Sequence, residues 1–166
     1  MFGSIAGGMS TAATAWILAS LLAPLAEPVS LAAFYGVFSL LLTREAGLTR
    51  FRLPENRRQV PRSVYDRGAA IASLQFGFEL GTGVRTYVPS GAPHLLLVGL
   101  LLFLPPFGTA ILVGVGFGLA RGTVPVFWYL SQLGDAWGDR FQSIRRVVSL
   151  ASMIIVTVGV TMTLPG

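Results

Sequence analysis

Long apolar runs recur along this chain from end to end, and almost every charge is confined to two Arg-rich stretches between them. A helix needs about 20 apolar residues to span a bilayer's hydrocarbon, somewhat fewer where polar flanks snorkel. Only 11% of the residues are charged and the mean hydropathy is +0.70, whereas soluble domains carry roughly a quarter charged residues. The reading is therefore an all-α, polytopic transmembrane helical bundle. No stretch is left over for a soluble domain of ordinary size, so residues 1–166 are expected to form a single transmembrane domain.

Four regions reach spanning length and one falls short. The first runs from about Ile5 to Ala26, where Ala26 to Pro28 supplies a turn, and the shorter second runs from Val29 to Thr43. Residues 44–67 form an Arg-rich loop with seven Arg against Glu45, Glu55 and Asp66. A third span extends from Gly68 to Val88, followed by a turn at Pro89 to Pro93. The fourth region, His94 to Ala120, contains Pro105 and Pro106 in its middle. Residues 121–146 read as a second polar loop, in which Leu133, Trp137, Phe141 and Ile144 recur at helical spacing as an interfacial amphipathic helix would. Val147 to Leu164 is the last span.

The 94–120 region is either one broken crossing or two half-spans that turn at the proline pair. The first choice puts both Arg-rich loops on one side, with eleven of the twelve Arg and only Arg85 opposite. The second sends four of those Arg outside, against the positive-inside rule. Five spans are expected, six if 94–120 is two half-spans. Both loops are then cytoplasmic, with the N-terminus inside and the C-terminus outside a bacterial inner membrane. Twelve Arg and no Lys fit a high-GC bacterial genome.

The chemistry that this composition excludes is broad. Without cysteine there is no disulfide, no thiolate metal site and no thiol redox chemistry. The single His94 cannot build a His-rich metal site, and Asp135 with Asp139 reads as a solvated face. The net charge of +5 is not arranged as a stripe for nucleic acid. "MFGSIAGG" has no basic residue before its apolar run and no cleavage pattern after it, so the first segment is expected to be a retained helix. Nucleophile elbows, P-loops and zinc-protease motifs are missing. An enzyme would have to use His94, Glu79 and Arg residues whose separation nothing fixes; none is expected, and neither a cofactor nor a metal.

What remains are the polar residues of "LQFGFELGTGVRTYVPSG". Glu79 falls near the bilayer midplane, where an ionised carboxylate costs at least several kcal/mol unless paired, wet or protonated. Gln75, four residues earlier, shares its face. The pair is read either as part of a solute, proton or ion path or as interhelical hydrogen-bond glue. "GTG" at Gly81 to Gly83 can also end the helix early. Arg85 either pairs with Glu79 or snorkels outward. Pro105 and Pro106 either free carbonyls for a cation or substrate or form a kink. Gly77 with Gly81, and Gly114 with Gly118 and Gly122, are faces for close helix packing.

Three quoted stretches carry a resemblance. "RLPENRRQVP" (Arg52 to Pro61), "QFGFELGTGVRTYV" (Gln75 to Val88) and "FGLARG" (Phe117 to Gly122) resemble a group of uncharacterised bacterial integral membrane proteins. That group is similar to the cytochrome c biogenesis transmembrane family, the thiol-disulfide carriers of the lysine-exporter superfamily. The resemblance covers under half of the chain. It implies a helical fold with broken helices around a cavity, and not the redox activity, since the two carrier cysteines are missing. The group also carries an additional N-terminal helix with a Pro-containing motif, and the resemblance leads to no expectation of that helix within these 166 residues.

Two functions follow as expectations. One is a small integral membrane subunit or assembly partner, whose small-residue faces bury against another membrane chain or a second copy. The other is a small-solute or proton-coupled transporter using Gln75 and Glu79. In both, the lipid bilayer is the first partner.

Overall fold

The computed structural model describes residues 1–21, 27–51, 53, 68–83, 90–131 and 136–162, with backbone alone for 128, 131 and 136–143. Among these residues the regular structure is all α-helical: α1 Phe2–Leu21, α2 Glu27–Glu45, α3 Ala69–Thr82, α4 Ala92–Phe103, α5 Phe107–Ser131 and α6 Ala136–Met162. Among the described residues, three segments are long and apolar enough to cross a membrane: Phe2–Leu21, Phe107–Phe127 and Ile144–Met162.

Three elements depart from the sequence reading. The third region is helical only over the 14 residues of α3, a rise of about 21 Å, because Gly83 takes up a left-handed conformation (φ 66°) and caps the helix. The 94–120 region separates into α4 and α5. Residues preceding a proline are disfavoured in the right-handed helical region, and Leu104 closes α4 in a left-handed conformation (φ 39°, ψ 62°). This is a complete break and not a kink.

The expected polar loop from Arg121 is also helix, since α5 continues through Pro125 to Ser131 and α6 starts at Ala136. Arg121 finds a carbonyl partner within the fold, described below, and "VPVFWYL" after it is apolar enough to stay in the helix. Pro125 removes one backbone N–H, the one that would bond the Arg121 carbonyl. Leu133 and Asp135 lie outside the described residues.

The chain packs as two compact units. The first comprises Met1–Thr14, Pro54–Val88 and Pro106–Gly134, the second Ala15–Leu53, Pro89–Pro105 and Asp135–Gly166.

In the first unit the helices meet through glycine. A Cβ placed on Gly3 or Gly7 of α1 would overlap the backbone of α3 at Leu74 and Phe78, and one on Gly8 would overlap that of α5 at Gly114. These contacts run in order along the helices, so α1 is parallel to α3 and antiparallel to α5. Ser4 is the common point: Gly77 and Gly81 of α3 and Gly118 and Gly122 of α5 all close on it.

The second unit has an ordinary side-chain core of Phe34, Leu41, Leu53, Ala92, Leu95 and Met153. Phe34 meets Phe103 edge to face, with centroids 5.5 Å apart. Leu41 lies against Gly91, and Phe34 and Val160 against Gly99. These pairs make α2 antiparallel to α4 and α4 parallel to α6.

Candidate functional site

The polar residues of α3 sit near its C-terminal end. Gln75 and Glu79, one turn apart, are joined by Gln75 Nε2 donating to Glu79 Oε1 at 3.3 Å, and Glu79 is buried at 8% exposure. Spacing explains the pair, since residues four apart lie one above the other on a helix face.

The last turn of α3 leaves carbonyls without intrahelical partners, and neighbours within the first unit supply donors. Thr82 Oγ1 donates to the Glu79 carbonyl at 2.8 Å and Thr11 Oγ1 of α1 to the Thr82 carbonyl at 3.1 Å. Arg121 Nε of α5 donates to the Leu80 carbonyl at 3.3 Å. A cation there also meets the negative end of the helix dipole. Arg121 was missed in the sequence because its charge reads as the start of a loop; "FGLARG", with Gly118 and Gly122 flanking it at packing distance, held the signal.

The level at which α3 stops is defined by its neighbours. Thr11 is at the middle of the Phe2–Leu21 span, and Phe117, which packs on Gly83, is at the middle of Phe107–Phe127. From Phe117 to the start of α5 is another ten residues, about 15 Å of helix. The α3 helix therefore ends halfway along the apolar span beside it, with Glu79 one turn short of that end.

The small-residue faces are occupied within the chain. A methyl on Gly77 would stand 3.2 Å from the Ser4 nitrogen, and one on Gly114 2.8 Å from Ala12 Cβ, while at Gly81 and Gly118 it would overlap the Ser4 carbonyl oxygen and at Gly122 the Ser4 hydroxyl. Gly3 and Gly7 belong to the same packing, and their four-residue spacing was readable in "GSIAG".

Of the remaining candidates, Arg85 lies outside the described residues. Pro105 and Pro106 fall at the α4–α5 break, where the Pro105 carbonyl accepts the Trp16 indole N–H at 2.8 Å. That carbonyl is freed by the break and already has a donor. His94 is in the first turn of α4, with its Nδ1 buried.

A second polar cluster surrounds the start of α4. Glu45 Oε1 accepts the Gly91 N–H at 3.1 Å and pairs with Arg44 at 2.8 Å. Ser90 Oγ accepts the Ala92 N–H at 3.1 Å, and Ser149 donates to Ser90 at 2.8 Å. A carboxylate of the chain itself thus stands where a helix N-terminus attracts an anion. Arg146 Nη2 would lie 3.3 Å from a methyl on Gly47, which brings the ends of both Arg-rich stretches together. The Ser90–Gly91 turn, expected on the face opposite those stretches, lies at the same end of this unit.

Chemically, the α3 cluster offers a carboxylate and a carboxamide in a sheltered place, able to take up a proton, a cation or a polar group. Among the described residues no three His, Cys, Asp or Glu side chains converge as metal ligands. The chain matches no protein-family model, no curated protein and no solved structure.

Proposed function

We propose that this is a multi-pass protein of a bacterial inner membrane that moves a small polar solute or a proton, with Gln75 and Glu79 as the groups that meet it. The observation that carries the reading is the burial of Glu79 beside Gln75 where α3 ends, halfway along its neighbouring spans. An ionisable side chain at that depth is expensive to keep and marks a path by default. Helices broken within the bilayer are the usual framework for such paths. The likeness of "QFGFELGTGVRTYV" to the cysteine-dependent carriers fits a related scaffold without thiol chemistry. In this reading the Arg-rich stretches and the N-terminus face the cytoplasm and the C-terminus faces outward.

A second reading is a subunit or assembly partner of a membrane complex. Its support is that Gly36, Gly116 and Gly159 have nothing within 4 Å, leaving exposed helix flanks where a partner helix could approach closely. Against it, the glycine faces from which a partner was first inferred are filled by this chain's own α1.

Proteoliposomes with a trapped pH-sensitive dye separate the two. Under an imposed pH gradient with potassium and valinomycin present, the wild type should dissipate the gradient at least tenfold faster than empty vesicles. Glu79→Gln should remove that flux while keeping the detergent elution profile. Wild-type vesicles no leakier than empty ones, together with a stable foreign chain on purification, would favour the subunit.

A further inference from the structure

We infer that the Arg-rich end of the second unit is a binding surface for an anionic phospholipid, with Arg50, Arg145 and Arg146 meeting the headgroup phosphate and Leu48 and Val147 meeting the adjoining part of the acyl chains. The inference stands on the second unit alone and holds whether or not a solute meets Glu79.

Two stretches of chain build the surface. After α2 ends at Glu45, the chain turns on Gly47 (φ 82°). The Gly47 N–H donates to the Arg44 carbonyl at 3.0 Å, and the Leu48 and Thr49 N–H groups donate to the Thr43 carbonyl at 2.9 and 3.3 Å. Arg44 fastens the continuation, its Nε donating to the Phe51 carbonyl at 3.1 Å, and Leu53 closes into the core. Against this turn lies Arg146 of α6, whose Nη2 would stand 3.3 Å from a methyl on Gly47. Arg50 follows Gly47 by three residues, within about 11 Å along the chain, so guanidinium groups from α6 and from the turn share one surface.

Its charge is one-sided. Among the described residues this end carries Arg44, Arg50, Arg145 and Arg146 against Glu45, and Glu45 is already engaged by Arg44 at 2.8 Å and by the Gly91 N–H at 3.1 Å. Arg50, Arg145 and Arg146 are exposed, and none of them pairs with a carboxylate among the described residues. Three guanidinium groups are left for an outside anion.

The surroundings of these arginines select a lipid. Arg145 and Arg146 follow directly on Ile144, where the 19-residue apolar segment to Met162 begins. That segment rises about 28 Å, close to the hydrocarbon thickness of about 30 Å, so the two arginines sit at its edge, where the headgroup layer starts. Beside them are large apolar side chains left bare: Leu48 at 78% exposure, Val147 at 68% and Ile144 at 51%. A phospholipid presents a phosphate and hydrocarbon at adjoining depths and so matches both features, whereas a soluble acidic partner matches only the charge. Arginine is suited to the phosphate itself, since its planar fork aims two N–H donors at two oxygens.

Full-length protein in a nonionic detergent, titrated with fluorescently labelled phosphatidylglycerol, provides the test. Unlabelled phosphatidylglycerol should displace the probe at least about tenfold more effectively than phosphatidylcholine with the same chains, and the preference should shrink as salt screens the arginines. Arg146→Gln should weaken phosphatidylglycerol binding about fivefold. Combining it with Arg145→Gln should bring the binding to the level of phosphatidylcholine, with the elution profile kept. Arg50→Gln, which leaves α6 intact, should show the same single-site loss if the α6 variants do not accumulate. Equal displacement by the two lipids would overturn the inference, as would a preference that survives the double substitution. Displacement by inorganic phosphate at the concentration where phosphatidylglycerol acts would reveal a site for free anions and overturn the lipid assignment.

Discussion

The two units solve the packing of helices in opposite ways. In the first, α1, α3 and α5 approach until backbone meets backbone, because Gly3, Gly7, Gly8, Gly77, Gly81, Gly114 and Gly118 present no side chain at the contact. In the second, α2, α4 and α6 are held apart and joined by large side chains, Phe34, Leu95 and Met153 among them. Lipid tails are as apolar as these side chains, so association within a membrane depends on contact quality more than on leaving water. Glycine packing achieves contact by proximity, and the aromatic core achieves it by interdigitation. Among the described residues, the first brings the Glu79 carboxylate, the Gln75 carboxamide and the Arg121 guanidinium into the same close-packed group of helices.

The contrast predicts where substitutions hurt. The largest effect should come from Gly81→Val, whose side chain would have to displace the Ser4 backbone. Overpacking typically costs 1–3 kcal/mol, and backbone cannot yield as a side chain does, so this variant should fail to give a monodisperse peak in mild detergent. Phe34→Ala, in the other unit, should cost about 3 kcal/mol and lower the thermal midpoint while leaving the protein foldable. If the two variants were equally tolerated, the distinction between the units would collapse.

Smaller effects sharpen it. Gly99→Ala meets the Val160 methyl at 3.2 Å, a side chain that can move, and should cost under about 1 kcal/mol, less than an ordinary overpacking change. Trp16→Phe removes the indole donor to the Pro105 carbonyl and should cost about 0.6 kcal/mol, the usual worth of a hydrogen bond between membrane helices. Gly116→Ala, with nothing within 4 Å, should be neutral or stabilising by up to about 1 kcal/mol from helix propensity. Thermal midpoints in one detergent rank all three, and a Gly116→Ala loss matching that of Gly118→Ala would remove the case for face-specific packing.

Helicity and the approximate positions of the apolar segments were legible because they depend on local composition. The faces at Gly77 and Gly81 and at Gly114 to Gly122 were legible because four-residue spacing maps directly onto a helix surface. Gly83 as an early helix end stood among the possibilities, since "GTG" offers a residue free to adopt positive φ. The partner of those faces could not be read, because Gly81 and Ser4 are brought together only by the tertiary fold. Arg121 was misplaced for a physical reason: a lone charge beside apolar residues signals a surface unless a distant carbonyl, here that of Leu80, receives it. The completeness of the break at Pro105 and Pro106 was hidden similarly, since the Trp16 indole that satisfies the Pro105 carbonyl comes from another helix.

The position of Ser4 has a consequence for biogenesis. It lies on α1, yet the glycines that enclose it belong to α3 and α5, which are made later. Until α5 has been inserted, the notch around Ser4 must be filled by lipid or by the insertion machinery. A helix made before both of its neighbours is therefore among the last to find its final contacts, and a nascent chain stalled before α5 would present an unfilled notch to quality-control proteases.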